Sequence, residues 1–203
     1  MKNVEVNRII MKINPIEKFQ ALYQTARAES TLQQKGAICI STLDSDGFPD
    51  SRFVDLKEVT AEGFIFCTDY ESNKGKSISQ NNKIGLTVWW EHIETQIRIK
   101  GKVSKVNTEQ SQQYWLSRSR SAQLTTWASN QSQPLSHSVS LTNNLAKYSK
   151  EFETVEVPKP PMWGGYLIRP IHFEFLTFRQ DRMHIREVIS LIGDQWHKSF
   201  LQP

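Results

Sequence analysis

Apolar residues recur along this chain in two rhythms. Between Pro15 and Ser30 they return at helical spacing, through Ile16, Phe19, Leu22, Tyr23 and Ala26, with Pro15 suited to a first turn. From Ala37 onward they alternate or cluster in short stretches bounded by turn residues, the signature of strands. The pattern predicts strands over 37–43, 51–59, 64–68, 83–90, 96–106, 163–168, 171–178 and 183–191, with turns at Asp44-Ser45-Asp46-Gly47 and at Thr60 to Gly63. Short helices are predicted over 74–82, 108–117 and 141–152. Val157-Pro158-Lys159-Pro160-Pro161 is a rigid extended connector, because proline fixes φ and donates no hydrogen bond. It is too short to divide domains. Many short strands with few helices favour an antiparallel barrel over a doubly wound sheet. The expected class is therefore mostly β (α+β), in one domain spanning 1–203, with a flexible N-terminal segment over 1–14.

Composition narrows the setting. A chain of 203 residues can bury a core without disulfide staples. Its two cysteines, Cys39 and Cys67, sit in apolar runs and lack the spacing of a metal site, which fits buried thiols in a reducing compartment. No signal peptide and no run long enough to cross a bilayer is visible, so a soluble cytoplasmic protein is expected. The net charge of +4 is mild, and no block of five Lys/Arg residues suggests nucleic acid. Pockets for small anions explain the charge equally well.

One segment carries candidate chemistry on its face. In Arg182-Met183-His184-Ile185-Arg186, charged residues alternate with apolar ones. An extended chain would put Arg182, His184 and Arg186 on one side, giving two fixed cations and one group that titrates near neutrality. Such a row suits an anionic ligand and proton handling. A solvated edge strand would present the same pattern.

Further along the argument, ordered motifs resemble one family. Ser51-Arg52-Phe53-Val54-Asp55-Leu56-Lys57 resembles the Arg-x-Val-x-Leu-Lys strand of pyridoxamine 5′-phosphate oxidases. The family's order then continues through Phe66-Cys67-Thr68, Ser72-Asn73-Lys74-Gly75, Gln96 with Gly101, Tyr114 with Arg118, Trp127 to Gln131-Ser132, Pro160 to Gly165, and Arg182-Met183-His184 with Arg186. The resemblance runs from about residue 36 to the C-terminus. It implies an antiparallel FMN-binding split β-barrel with a few flanking helices. It also implies a homodimer with two interfacial FMN sites and C-terminal dimerisation strands over 163–203, in which Trp127 and Trp163 would help form an apolar interface.

By the same resemblance, Arg52 and Lys74 hold the FMN phosphate beside Asn73, and the strand Arg52, Phe53, Val54, Asp55, Leu56, Lys57 runs along the flavin. Cys67, Thr68, Gln96, Gln131, Ser132, Leu176 and Arg186 complete the cofactor set. Phosphate recognition by cations at a helix N-terminus makes chemical sense unaided. Lys57, Tyr114, Arg118 and Ala122 form the implied substrate-phosphate set, and Arg182 and His184 cover the substrate ring as the catalytic pair. On a helix Tyr114 and Arg118 would share a face. The implied reaction moves a hydride from C4′ of pyridoxamine or pyridoxine 5′-phosphate to FMN, with dioxygen as final acceptor giving hydrogen peroxide. No metal, nucleic acid or membrane is implied.

Several positions depart from the family pattern. Ala122 stands for a serine, Asn73 for an arginine, Leu176 for a tryptophan and Ile185 for an aspartate. The N-terminal lid motif is not recognisable, and the C-terminus keeps Leu-x-Pro without the preceding arginine. These departures fall more heavily on the substrate side than on the flavin side. They leave two further readings open: a related FMN-dependent oxidase of the phenazine-biosynthesis type, and a flavin-binding protein without turnover.

Overall fold

The computed structural model describes residues 14–135 and 141–203, so most of the N-terminal segment expected to be flexible lies outside it. Helix α1 (Pro15–Glu29) opens the described chain. Asn14 caps it by accepting from the Ile16 and Glu17 amides, and Pro15 fills the first turn, where no amide is needed. Its apolar stripe, including Phe19 and Tyr23, lies on the main core beside Phe64 and Trp90.

The strands are β1 (Ala37–Leu43), β2 (Pro49–Asp55), β3 (Glu58–Thr60), β4 (Gly63–Asp69), β5 (Lys83–Trp90), β6 (Thr95–Lys105), β7 (Trp163–Thr177), β8 (Ile185–Ile192) and β9 (Gln195–Leu201). All pair antiparallel, in the order β2-β1-β5-β6-β7-β4-β3, with β8 joining β7 and β9 joining β8. The helices are α2 (Asn73–Gln80), α3 (Thr108–Leu116), α4 (Arg120–Ala128) and α5 (Leu141–Glu151). This is the expected mostly β, α+β class.

Strand β7 organises the molecule. Its first part pairs with β4 and its last part with β8, while β6 runs beside it from Tyr166 to Thr177. The sequence pattern divides it into two strands because Pro170 interrupts it. Pro170 is tolerated because it falls where β4 has ended at Ile168 and β8 begins only at His172. The β6 register shifts at the same place, between Lys100 and Gly101. There Gly101 approaches so closely that a Cβ would stand 2.7 Å from the Arg169 carbonyl oxygen.

Strand β4 is buried on both faces, which explains its unbroken run Phe64-Ile65-Phe66. Phe64 and Phe66 join the main core under α1, whereas Ile65 joins a second core with Trp115, Leu124, Phe152 and Trp163. Trp163 therefore packs inside its own chain, 4% exposed, and Trp127 stacks on Tyr148 and Phe152. The expectation that Trp163 forms part of a dimer interface is corrected, while Trp127 is only half-buried. The predicted strand over 51–59 is likewise two strands, because the chain breaks at Leu56 and Lys57, whose amides bond outside the β2 ladder to Gly36 and Ile65.

Candidate active site

One corner of the molecule gathers cations at a helix start. Ser72 caps α2, its hydroxyl accepting from the Gly75 amide at 3.3 Å. The turn is so tight that a Cβ on Gly75 would sit 2.2 Å from the Tyr70 carbonyl oxygen. The Asn73 and Lys74 amides open the helix and have no intrahelical acceptor. Lys74 is buried, and its pKa is held below the usual lysine value, first by that burial and then by the Arg52 cation beside it. Arg52 bonds Thr42 Oγ1 at 2.7 Å and pairs with Asp50. Two neighbouring cations at a helix N-terminus, one of them desolvated, fit a phosphate dianion such as the one ending FMN.

Next to this corner lies the implied substrate side. Lys57, Tyr114 and Arg118 line one cavity of about 100 Å³ with Asp55, Cys67 and Trp163. A larger cavity of about 510 Å³ shares Cys67, Arg118 and Trp163 and adds Thr68, Ala122 and Gln131. Arg118 lies beyond the end of α3 rather than on it, since Leu116 is the last helical residue, yet it reaches the same cavity as Tyr114. Burial lowers its pKa, and its Nε is buried without a hydrogen-bond partner. Thr68 donates to Gln131 Oε1 at 3.0 Å, tying β4 to the segment after α4. Cys67 is half-buried, and burial pushes its thiol up to about 11, so it is a neutral wall rather than a nucleophile.

A second group of expected residues gathers elsewhere. Gln96 on β6, Leu176 on β7 and Arg186 on β8 are paired neighbours in one lateral row. Arg186 Nε donates to Glu174 at 2.8 Å, and Arg98 holds that carboxylate's other oxygen at 2.5 Å. Arg182 and His184 precede β8 instead of lying on it, and Arg182 turns the chain with φ 60. Arg182 thus departs from the expected single face with His184 and Arg186, because a left-handed residue breaks the alternation there. His184 packs at a tilt against Phe178, its ring centroid 4.8 Å away, and its Nδ1 accepts from the Arg179 amide at 3.0 Å.

The two groups lie far apart within one chain. Cys67 pairs with Gly165 near the start of β7 and Gln96 with Leu176 near its end, roughly 35 Å along the strand. Phe53, 75% exposed, opens instead onto a groove with Leu32 and Trp89, while Leu56 is in the core and Val54 packs against it. Ser132, like Glu94 and Arg182, has positive φ, at 68.

Some residues of the site were not anticipated. Glu58 accepts from the Tyr114 hydroxyl at 2.5 Å, Ser117 accepts from Lys57 Nζ at 2.9 Å, and Thr126 contacts Arg118 at 3.4 Å. Glu58 directly follows Lys57, and Glu174 stands alone between Phe173 and Phe175, so both had a visible signal. Ser117 and Thr126 had none.

An antiparallel split sheet with an anion corner at a helix start is the architecture of flavin-dependent oxidases of the split-barrel class. The sequence profile described as pyridoxamine 5′-phosphate oxidase matches residues 24–149, and the one described as pyridoxine 5′-phosphate oxidase C-terminal dimerisation region matches 163–203. This chain belongs to the pyridoxamine 5′-phosphate oxidase family. The pyridoxine/pyridoxamine 5′-phosphate oxidase of a Synechocystis species is 37% identical over 94% of this chain and 88% of its own length. That of Actinobacillus pleuropneumoniae serotype 5b is 37% identical over 98% of this chain and 94% of its own. Among solved structures, PhzG from Burkholderia lata 383, in complex with tetrahydrophenazine-1-carboxylic acid, is 27% identical with a TM-score of 0.88, covering 94% of this chain and 93% of that one. An FMN-binding protein from Nostoc punctiforme shares the fold, with a TM-score of 0.73 at 18% identity over 95% of this chain and all of the other.

Proposed function

We propose that this chain is an FMN-dependent oxidase that converts pyridoxamine or pyridoxine 5′-phosphate to pyridoxal 5′-phosphate. Pyridoxine 5′-phosphate and dioxygen would give the aldehyde and hydrogen peroxide, and the amine would consume one water as well and release ammonia. The observation that carries the proposal is the convergence of Lys57, Tyr114 and Arg118 on one cavity, sharing Cys67 with the larger cavity that Thr68 and Gln131 line. Arg52, Lys74 and the first amides of α2 would hold the FMN phosphate. Bound FMN would supply the electron-accepting chemistry. The protein's part is to orient the substrate carbon, exclude water and hold protons.

The site we infer belongs to a homodimer. A mononucleotide cannot touch both Thr68 and Arg186 of one chain when the two groups lie at opposite ends of β7. Closing the site across two copies would join the Arg52–Lys74–Gln131 half of one to the Gln96–Leu176–Arg186 half of the other. The family's C-terminal dimerisation region, matched here over 163–203, supports this reading. Outside that region, the exposed Phe53 and Trp89 of each chain would be covered in the assembly. We treat the chain as one functional domain and assign it to the cytoplasm, where its free thiols Cys39 and Cys67 would stay reduced. No described helix is long and apolar enough to cross a membrane.

One observation favours a second reading. Ala122 offers no hydroxyl to a phosphate, and PhzG, so similar in fold, was solved with a reduced aromatic carboxylic acid. The alternative substrate is therefore a reduced aromatic carboxylate. Mixing the purified protein with pyridoxine 5′-phosphate in air, and measuring peroxide and pyridoxal 5′-phosphate, separates the two. Equimolar formation of both products is expected, and flavin-loaded protein that forms neither would overturn the vitamin B6 reading.

A further inference from the structure

Three of the four groups expected to grip the substrate phosphate already have partners. Lys57 Nζ donates to Ser117, Arg118 reaches the Ala122 carbonyl at 3.2 Å, and Tyr114 is bound from two sides. Gln110 Nε2 donates to the Tyr114 oxygen at 2.9 Å, and the hydroxyl donates to Glu58 Oε2 at 2.5 Å. A tyrosine hydroxyl has a single proton to give. While Glu58 accepts it, Tyr114 has none for a ligand. Burial and the Glu58 carboxylate both raise the Tyr114 pKa, so the group stays a protonated donor.

Charge sharpens the conflict. Lys57 and Arg118 are the cations of the smaller cavity, and Asp55 lines it with them. With Glu58 at the Tyr114 hydroxyl, two carboxylates offset the two cations. A phosphate dianion arriving at Tyr114 would have to displace Glu58 from its proton and remain beside its charge. A ligand without a phosphate meets no such opposition.

We propose that Glu58 is a specificity-determining residue of the substrate side: its negative charge, held at the Tyr114 hydroxyl, weakens the binding of a phosphate-bearing ligand relative to its dephosphorylated counterpart. This rests on the reading of the cavity as a substrate-phosphate site. Glu58 is exposed on the short strand β3, so it can swing away, and its replacement removes no core packing. It acts on the ligand through Tyr114, as a positioning residue.

The test uses the FMN-loaded protein and the variants Glu58→Gln and Glu58→Ala, titrated at equilibrium with pyridoxal 5′-phosphate, pyridoxal and inorganic phosphate. Glu58→Gln keeps an acceptor for Tyr114 and removes only the charge, so it decides the matter if the alanine variant is poorly folded. The dissociation constant for pyridoxal 5′-phosphate is expected to fall about tenfold in both variants, the scale of one screened charge pair near the surface. Inorganic phosphate should tighten likewise, and pyridoxal should not change. In turnover the gain should appear in KM for pyridoxine 5′-phosphate, and kcat should not rise, because the product carries the same phosphate. Unchanged or weaker pyridoxal 5′-phosphate binding by Glu58→Gln would overturn the proposal, as would failure of all three proteins to bind it. Tighter phosphate binding in a protein that oxidises no B6 vitamer would sink the proposed reaction and leave the role of Glu58 standing.

Discussion

Arg186 donates through Nε to Oε1 of Glu174 at 2.8 Å, from the neighbouring strand of the sheet. Arg98 binds the second oxygen, so one buried carboxylate fixes two guanidinium groups. Burial alone would raise the Glu174 pKa, but the hydrogen bonds from Arg186 and Arg98 outweigh it and hold the carboxyl below the usual glutamate range. A depressed pKa in the folded state contributes stability above the unfolded-state value and loses it as pH falls through the folded one. Glu187, held by Lys18 and Lys198, adds to the same limb. Glu174→Gln should therefore lower Tm near neutral pH and flatten its decline below about pH 4.5, near the ordinary glutamate value. Because both arginines are partly exposed, the loss near neutrality should be about 1–2 kcal/mol. An acid limb of Tm against pH identical to wild type would refute this.

The Lys74–Arg52 corner makes a prediction about ligand binding. Two cations that disfavour each other gain from a dianion between them. Arg52→Ala should weaken FMN by roughly 2–3 kcal/mol, the scale of lost charge-assisted hydrogen bonding. Added FMN should raise the Tm of the wild-type apoprotein, and less so that of the variant. Fluorescence titration of apoprotein with FMN measures both. An affinity unchanged by the substitution would remove the phosphate assignment.

Much of this architecture was legible. Alternation marked β1, β5 and β6, and Pro15 marked the start of α1. The Ser-Asn-Lys-Gly turn likewise announced α2. What stayed hidden had physical causes. Helix α4 is Ser/Thr-rich and buries only Gln123, Leu124 and Ala128, too little apolar periodicity to register, although Ser119 caps it. Strand β9 is exposed along almost its whole length and exists because β8 needs a partner, so no pattern betrays it. The left-handed turn at Arg182 is set by the chain reversal before β8 and not by any turn residue at that position. Local spacing likewise gave no hint that Cys67 and Gln96 lie at opposite ends of β7, because that separation is a property of the sheet.

Oligomeric state offers an independent check. Phe53 and Trp89 are 75% and 50% exposed and line one groove of about 580 Å³ together with Leu32. Sedimentation should find a dimer, and Phe53→Asp should shift it toward monomer and reduce FMN affinity with it, because the site would come apart. A stable monomer that retains stoichiometric FMN would rule out a shared site. Trp163→Phe, by contrast, should affect Tm and leave the dimer intact, since Trp163 packs against Trp115 within its own core.

The segment before β8 supplies the last test. His184 Nδ1 accepts the Arg179 amide, so the neutral ring carries its proton on Nε2, the nitrogen left for a ligand. Its tilted contact with Phe178, which packs in turn on Trp89, restrains the ring. A ring so held is suited to donate a hydrogen bond to a substrate atom that gains charge in the transition state. His184→Ala and Arg182→Ala should then keep FMN and lose turnover, with the His184 loss mainly in kcat, by about 10²-fold or more. His184→Gln, whose amide nitrogen can stand near Nε2, should recover part of it, and His184→Asn should not. Arg186→Ala should instead change FMN affinity or reduction potential, because its guanidinium belongs to the Gln96–Leu176 row. Charges that merely solvate a turn change neither quantity appreciably. Wild-type kcat in both Arg182→Ala and His184→Ala would eliminate the catalytic assignment even in a protein that still binds its flavin.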